Sequence, residues 1–186
     1  MIYQLKIRKG QWKMRKIAIV YWSGTGNTEA MAAAVAEGVQ ASGAEAVLET
    51  AAAFDVAALD AYDAVAFGCP SMGAEELEES EFAPMFETCE RKLAGKQLAL
   101  FGSYGWGDGE WMRNWEERCR DDGAALVCEP VICNEAPDAA ALAACRALGA
   151  ALAQEGRLST HKKGGAGKAF CFCGAPFSGC GWLCCG

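Results

Sequence analysis

Between Lys16 and Arg91 the chain has no lysine or arginine. A triphosphate-binding loop of the Walker type ends in Gly-Lys-Ser/Thr, so hydrolysis of nucleoside triphosphates is not expected. A third glycine is also missing. The run Gly24-x-Gly26-x-x is followed by Glu29, where a dinucleotide fingerprint needs a small residue for close strand–helix packing. Glu29 would also set a carboxylate beside any pyrophosphate. No apolar run reaches the ~18 to 20 residues of a membrane span. The N-terminus lacks the long apolar core of a secretory signal.

What is present is a short stretch that organises the rest. Ile17-Ala18-Ile19-Val20-Tyr21-Trp22 is an apolar run suited to a buried strand of a parallel sheet. Ser23-Gly24-Thr25-Gly26-Asn27-Thr28 follows as a small polar loop, and Met31, Val35 and Val39 then recur at helical spacing. Strand, loop and helix start make an anion site: free N–H groups at a helix N-terminus point outward, and the dipole favours negative charge there. Ser23, Thr25, Asn27 and Thr28 add side-chain donors. The loop is expected to hold one terminal phosphate through hydroxyls and amides, without a counter-charge. An ordinary strand-to-helix turn is the plain alternative.

The alternation continues along the chain. Further strands are expected at Glu45–Thr50, Asp63–Cys69, Gln97–Ser103 and Ala125–Cys133, with Val65, Phe67 and Cys69 on one face. Helical segments are expected near Ala83–Lys92, Asp108–Asp122 and Ala139–Gln154. This order argues for an α/β fold, a doubly wound parallel sheet of five strands with helices on both faces. Ligands in such folds bind at the carboxyl ends of the strands, near the switch point. After the third strand comes Ser71-Met72-Gly73-Ala74-Glu75, and after the fourth Gly102-Ser103-Tyr104-Gly105-Trp106-Gly107. Met72 and Trp106 can sandwich a planar ring, since thioether and indole both pack well on π faces. Trp111 and Trp115, four apart on the next helix, read as core.

The 186 residues fit one domain. Of the eleven cysteines, Cys69, Cys89, Cys119, Cys128, Cys133 and Cys145 read as small buried hydrophobes in a reducing cytoplasm. The net charge of −7 is uneven: residues 17–156 hold all 24 acids and a net −17. A body that acidic repels nucleic acid and steers toward basic protein surfaces. Simple solubility is the bland explanation of the same charge.

Residues 14 to about 155 closely resemble the short-chain bacterial flavodoxins of clostridial type. The resemblance is carried by Thr25-Gly26-Asn27-Thr28, the Met72-Gly73 loop and the Gly102–Gly107 loop, in order and at these spacings. The run Ala125–Cys133 lacks the insertion of long-chain members. The resemblance implies strand order 2-1-3-4-5 and one noncovalent FMN. Ser23, Gly24, Thr25, Gly26, Asn27 and Thr28 would hold its phosphate. Met72 and Trp106 would cover the two faces of the isoalloxazine, and Glu75 would accept from the flavin N3–H. The Gly73 carbonyl would accept from N5–H of the semiquinone. Backbone around Gly102, Ser103, Tyr104, Gly105 and Gly107 would meet the pyrimidine edge and ribityl chain. If the reduced turn is type II, Ala74 needs positive φ, at a cost of about 1 kcal/mol. A semiquinone less stable than that of an Ala74→Gly variant is then expected.

The implied function is a low-potential one-electron carrier, not an enzyme. It would shuttle between semiquinone and hydroquinone and dock, as a cytoplasmic monomer, onto basic patches of reductases and oxidoreductases. Glu75, Glu76, Glu78, Glu79 and Glu81 would form the acidic docking rim. An FMN-dependent NAD(P)H–quinone reductase on the same fold is the rival. It needs an open pocket over the ring and positive charge for nucleotide phosphates, which Trp106 and the acidic rim oppose. A phosphoacceptor signalling domain would want an Asp where Cys69 stands.

The two ends differ from the body. Residues 1–13 are expected to be an appendage, with translation starting at Met14, because purine-rich codons for Lys9-Gly10 would suit a ribosome-binding site. Residues 156–186 form a basic Gly/Cys-rich tail, expected to be disordered. Cys171, Cys173, Cys180, Cys184 and Cys185, with His161 upstream, are weak metal-ligand candidates because paired Cys-x-x-Cys spacing is lacking.

Overall fold

Residues 17–21 carry no charged side chain. In the computed structural model, which describes residues 14–154, they lie within a central strand, β1 (Lys16–Tyr21). The chain alternates through α1 (Asn27–Ala41), β2 (Glu45–Thr50), β3 (Ala64–Gly68), α2 (Phe82–Glu90), β4 (Gln97–Tyr104), α3 (Glu110–Asp121), β5 (Ala125–Leu126), β6 (Val131–Asn134) and α4 (Ala139–Ala153). All strand pairs are parallel, in the order β2-β1-β3-β4-β5, and β6 also pairs with β4. This is the flavodoxin-like doubly wound sheet. Residues 1–13 and the tail, with Cys171, Cys173, Cys180, Cys184 and Cys185, lie outside the described residues, and so do the expectations that concern them.

The period of two along each strand sorts the core into two layers. Ile17, Ile19 and Tyr21 face α1 and α4, where Met31, Val35, Val39, Cys145, Leu148 and Leu152 are buried. Ala18, Val20, Val65 and Phe67 face α2 and α3, with Phe82, Phe86, Trp111 and Trp115. Phe67 meets Phe86 edge-on at 5.2 Å, and Trp115 meets both Phe82 and Phe86 edge-on at 5.4 Å, the arrangement aromatic quadrupoles favour. The helices α1 and α4 approach until backbone touches backbone. A Cβ on Gly38 would overlap the Arg146 carbonyl, and one on Gly149 the Val35 carbonyl.

The last strand departs from expectation. The run Ala125–Cys133 is not one strand but two, β5 and β6, both beside β4. The register shows the reason: Gln97 pairs with Ala125, an offset of 28, whereas Phe101 pairs with Val131, an offset of 30. Two extra residues bulge between the pieces, next to Pro130, which has no N–H for the ladder. An even number preserves side-chain parity, so both pieces keep the same faces. A 3-10 helix at Val56–Ala61, absent from the sequence reading, is capped by the Asp55 carboxylate. Of the six cysteines read as buried, Cys128 and Cys133 are only half-buried, since both belong to this interrupted edge.

Candidate functional site

The loops after β1, β3 and β4 are brought together by the parallel register. Trp22 N–H donates to the Gly68 carbonyl at 2.9 Å, Cys69 N–H to Phe101 at 3.1 Å, and Ser71 N–H to Ser103 at 2.9 Å. Three segments far apart in sequence therefore leave the sheet side by side.

In the first loop Gly26 is the residue before α1, with φ 88°. That left-handed conformation suits glycine. No side chain caps this helix start, so its first N–H groups face outward as donors for an anion. The Ser23 Oγ accepts from Gly26 N–H at 3.0 Å, which bends the loop into a cradle and leaves its own proton to donate. Thr25 is exposed and Asn27 half-buried. Thr28 is different: it is 1 % exposed, and its hydroxyl meets the Ser103 Oγ at 3.3 Å.

In the second loop Met72 and Glu76 exchange both backbone hydrogen bonds at 2.9 Å, making a tight three-residue turn of Gly73, Ala74 and Glu75. The left-handed residues are Gly73 (φ 50°) and Glu75 (φ 58°), not Ala74. The strain expected at Ala74 concerns the reduced turn; in the turn seen here the left-handed side chain is that of Glu75. Met72 is 39 % exposed and Trp106, in the third loop, 62 %. Among the described residues most large apolar side chains are inside. Two soft, flat or polarisable groups held at the surface on adjacent loops have surface to offer a ring.

Other expected residues lie deeper. Gly102 and Ser103 are interior to β4. A Cβ at Gly102 would overlap the Cys69 carbonyl, so this glycine serves close packing beneath the loops. The Tyr104 ring packs on Trp111 at 5.4 Å, leaving its backbone to the loop. Gly105 and Gly107 are exposed beside Trp106. The Cys69 thiol is pushed up to about 12 by burial, and its sulfur accepts from Glu78 N–H at 3.3 Å.

Two acidic residues of the second loop have structural partners. The Glu75 Oε1 accepts from Gly109 N–H at 3.0 Å and Glu110 N–H at 2.9 Å, capping α3. Glu78 is a correction: expected in an exposed docking rim, it is 5 % exposed. Burial alone would raise its pKa. Hydrogen bonds from the Ser80 hydroxyl and from the N–H groups of Phe82, Glu81 and Ser80 outweigh that and lower it to about 2. Its carboxylate caps α2, which no nearer side chain does.

A fourth loop, after β6, was missed in the sequence. Glu135 N–H donates to the Tyr104 carbonyl at 2.7 Å, and Asn134 Nδ2 to the same carbonyl at 3.2 Å. These bonds steady the Trp106 loop from its far side. The legible signal was Asn134-Glu135 at the end of a strand adjoining β4.

An open helix start, the exposed side chains of Met72 and Trp106 and the Glu75 carboxylate all lie on loops at the carboxyl ends of strands ordered 2-1-3-4-5, the end where doubly wound α/β folds take their ligands. The flavodoxin family model matches residues 19–149. The flavodoxin of Megasphaera elsdenii is 46 % identical over 138 residues, 74 % of this chain and 98 % of its own. That of Clostridium beijerinckii is 48 % identical over 122 residues, covering 66 % and 88 %. The solution structure of two-electron reduced Megasphaera elsdenii flavodoxin superimposes with a TM-score of 0.69 at 47 % identity, over 74 % of this chain and 98 % of that one. The chain belongs to the flavodoxin family. It is an FMN-binding electron carrier of the short-chain type, not an enzyme, and the quinone reductase reading is not favoured.

Proposed function

We propose that residues 14–155 are a low-potential carrier domain that passes single electrons between redox enzymes. Bound FMN supplies the redox chemistry, taking up and releasing electrons one at a time. The residues present fit it. Asn27 and its neighbours at the start of α1 offer N–H groups, with Ser23 and Thr25 adding hydroxyls, for a phosphate. Met72 and Trp106 offer apolar cover to a ring, and the Glu75 Oε2, which has no hydrogen bond among the described residues, offers an acceptor to a ring N–H. The observation that carries the reading is the exposure of Met72 and Trp106 on loops that the β-ladder sets beside the open α1 N-terminus.

The rim around these loops is acidic. Glu76, Glu79, Glu81, Asp108 and Glu110 are exposed, which suits brief, salt-sensitive docking on basic patches of reductases and oxidoreductases. The same charge opposes nucleic acid and self-association, supporting a monomer. Among the described residues no helix is long and apolar enough to cross a membrane, and the six cysteines form no disulfide. The cytoplasm is the compartment proposed for this carrier, where thiols stay reduced.

Absorption followed through stepwise dithionite titration tests this directly. One FMN per chain and two separate one-electron steps are expected. A colourless protein that stays so after soaking with FMN overturns the proposal.

A further inference from the structure

Glu75 sits where two loops meet. Its backbone belongs to the Met72–Glu76 turn, at φ 58°, and its carboxylate reaches across to Gly109 and Glu110. Those two residues open α3 directly after the Trp106 loop. The left-handed conformation is disfavoured for a non-glycine residue, so it persists only if something holds it. Two charge-assisted hydrogen bonds at a helix N-terminus are sufficient. Gly107 completes the relationship: a Cβ there would overlap the Glu75 carboxylate, and Gly107 is itself left-handed, at φ 90°.

We propose that Glu75 is a strut fixing the spacing of the Met72 and Trp106 loops, and that Gly107 is its socket. The proposal rests on the FMN reading, because the spacing of these loops is the width available to a ring. Glu75 is then a positioning residue through Oε1, apart from any acceptor role through Oε2. One carboxylate thereby links the turn beside the ring to the lid over it.

Substitution separates the two roles. In Glu75→Gln the amide oxygen can still accept from Gly109 and Glu110. In Glu75→Ala nothing can. Hydrogen exchange at those two amides is read in the full-length chain, with FMN and without it. Glu75→Ala is expected to speed exchange about tenfold or more, and Glu75→Gln to stay within about threefold of the parent. FMN affinity is expected to fall further in Glu75→Ala than in Glu75→Gln, by about tenfold. Gly107→Ala should also speed exchange in the parent, and by less in the Glu75→Ala background, where only its left-handed backbone is strained.

Equal exchange rates in Glu75→Gln and Glu75→Ala overturn the strut. An equal increment from Gly107→Ala in both backgrounds overturns the socket, leaving only backbone strain at that glycine. Failure of the parent to bind FMN would sink the cofactor reading instead, while exchange in the protein without FMN still decides the strut.

Discussion

The hydroxyls of Thr28 and Ser103 meet at 3.3 Å beneath the surface, joining the start of α1 to the end of β4. Thr28 is 1 % and Ser103 5 % exposed, so neither can exchange this partner for bulk water. The loop before α1 is thus anchored from below to the strand that carries the Trp106 loop. Ser103→Ala leaves the Thr28 hydroxyl without this partner and is expected to cost about 1 kcal/mol, read as a lower urea midpoint at unchanged slope. A Thr28→Val, Ser103→Ala double variant should lose less than the two single losses added together, because the orphaned partner disappears. Strict additivity would show that the hydroxyls do not interact.

Glu78 sets an acid limb on stability. Its folded pKa, about 2, lies below the ordinary 4.5. The contribution is therefore complete above pH ~4.5 and drains away as pH falls toward 2. It is on the order of 3 kcal/mol. Glu78→Gln should be less stable at pH 7 by about that amount and show a flatter decline between pH ~5 and 2. Parallel stability curves for the two proteins would refute this.

The α1–α4 contact tolerates no added methyl. Gly149→Ala is expected to destabilise by about 2 kcal/mol or more, despite alanine's higher helix propensity. A gain in thermal midpoint would mean that the helices separate freely there. Gly38→Ala should behave alike, because its Cβ meets backbone of Arg146 rather than a flexible side chain.

Ala74 gives a redox test. The turn described here has its left-handed positions at Gly73 and Glu75. Should the turn rearrange on reduction so that Ala74 takes positive φ, alanine costs about 1 kcal/mol. Ala74→Gly would then raise the potential of the first one-electron step by about 40 mV. Identical potentials for the two proteins would show that Ala74 keeps negative φ in both states.

Much of the site was legible because its signals are local. Apolar Ile17–Trp22 followed by Ser23–Thr28 announces strand, loop and helix start within a dozen or so residues, and Met72 and Trp106 stand out after strands of the right order. Glu78 shows the opposite case. In sequence it is one of five acids between Glu75 and Glu81, and nothing in its neighbours separates it from Glu76 or Glu79. Only the turn made by the chain after Glu78 aims the N–H groups of Ser80, Glu81 and Phe82 at that one carboxylate. Gly102 is similar: its glycine reads as a loop signal, yet the need for it comes from the Cys69 carbonyl on the adjoining β3 side.

Hydrophobic period and turn chemistry, which act over a few residues, determined by sequence alone the alternation of elements, the doubly wound sheet and the three loops at the carboxyl ends of its strands. Tertiary structure decided which acid is buried, where the last strand breaks, and that Glu75 caps α3. The strand break and the α3 cap depend on distant groups: Phe101 and Val131 are 30 residues apart, Glu75 and Gly109 are 34, and their meeting is set by packing of the whole sheet. Glu78 is bonded by near neighbours, but the turn that aims them at it leaves no mark on the local pattern.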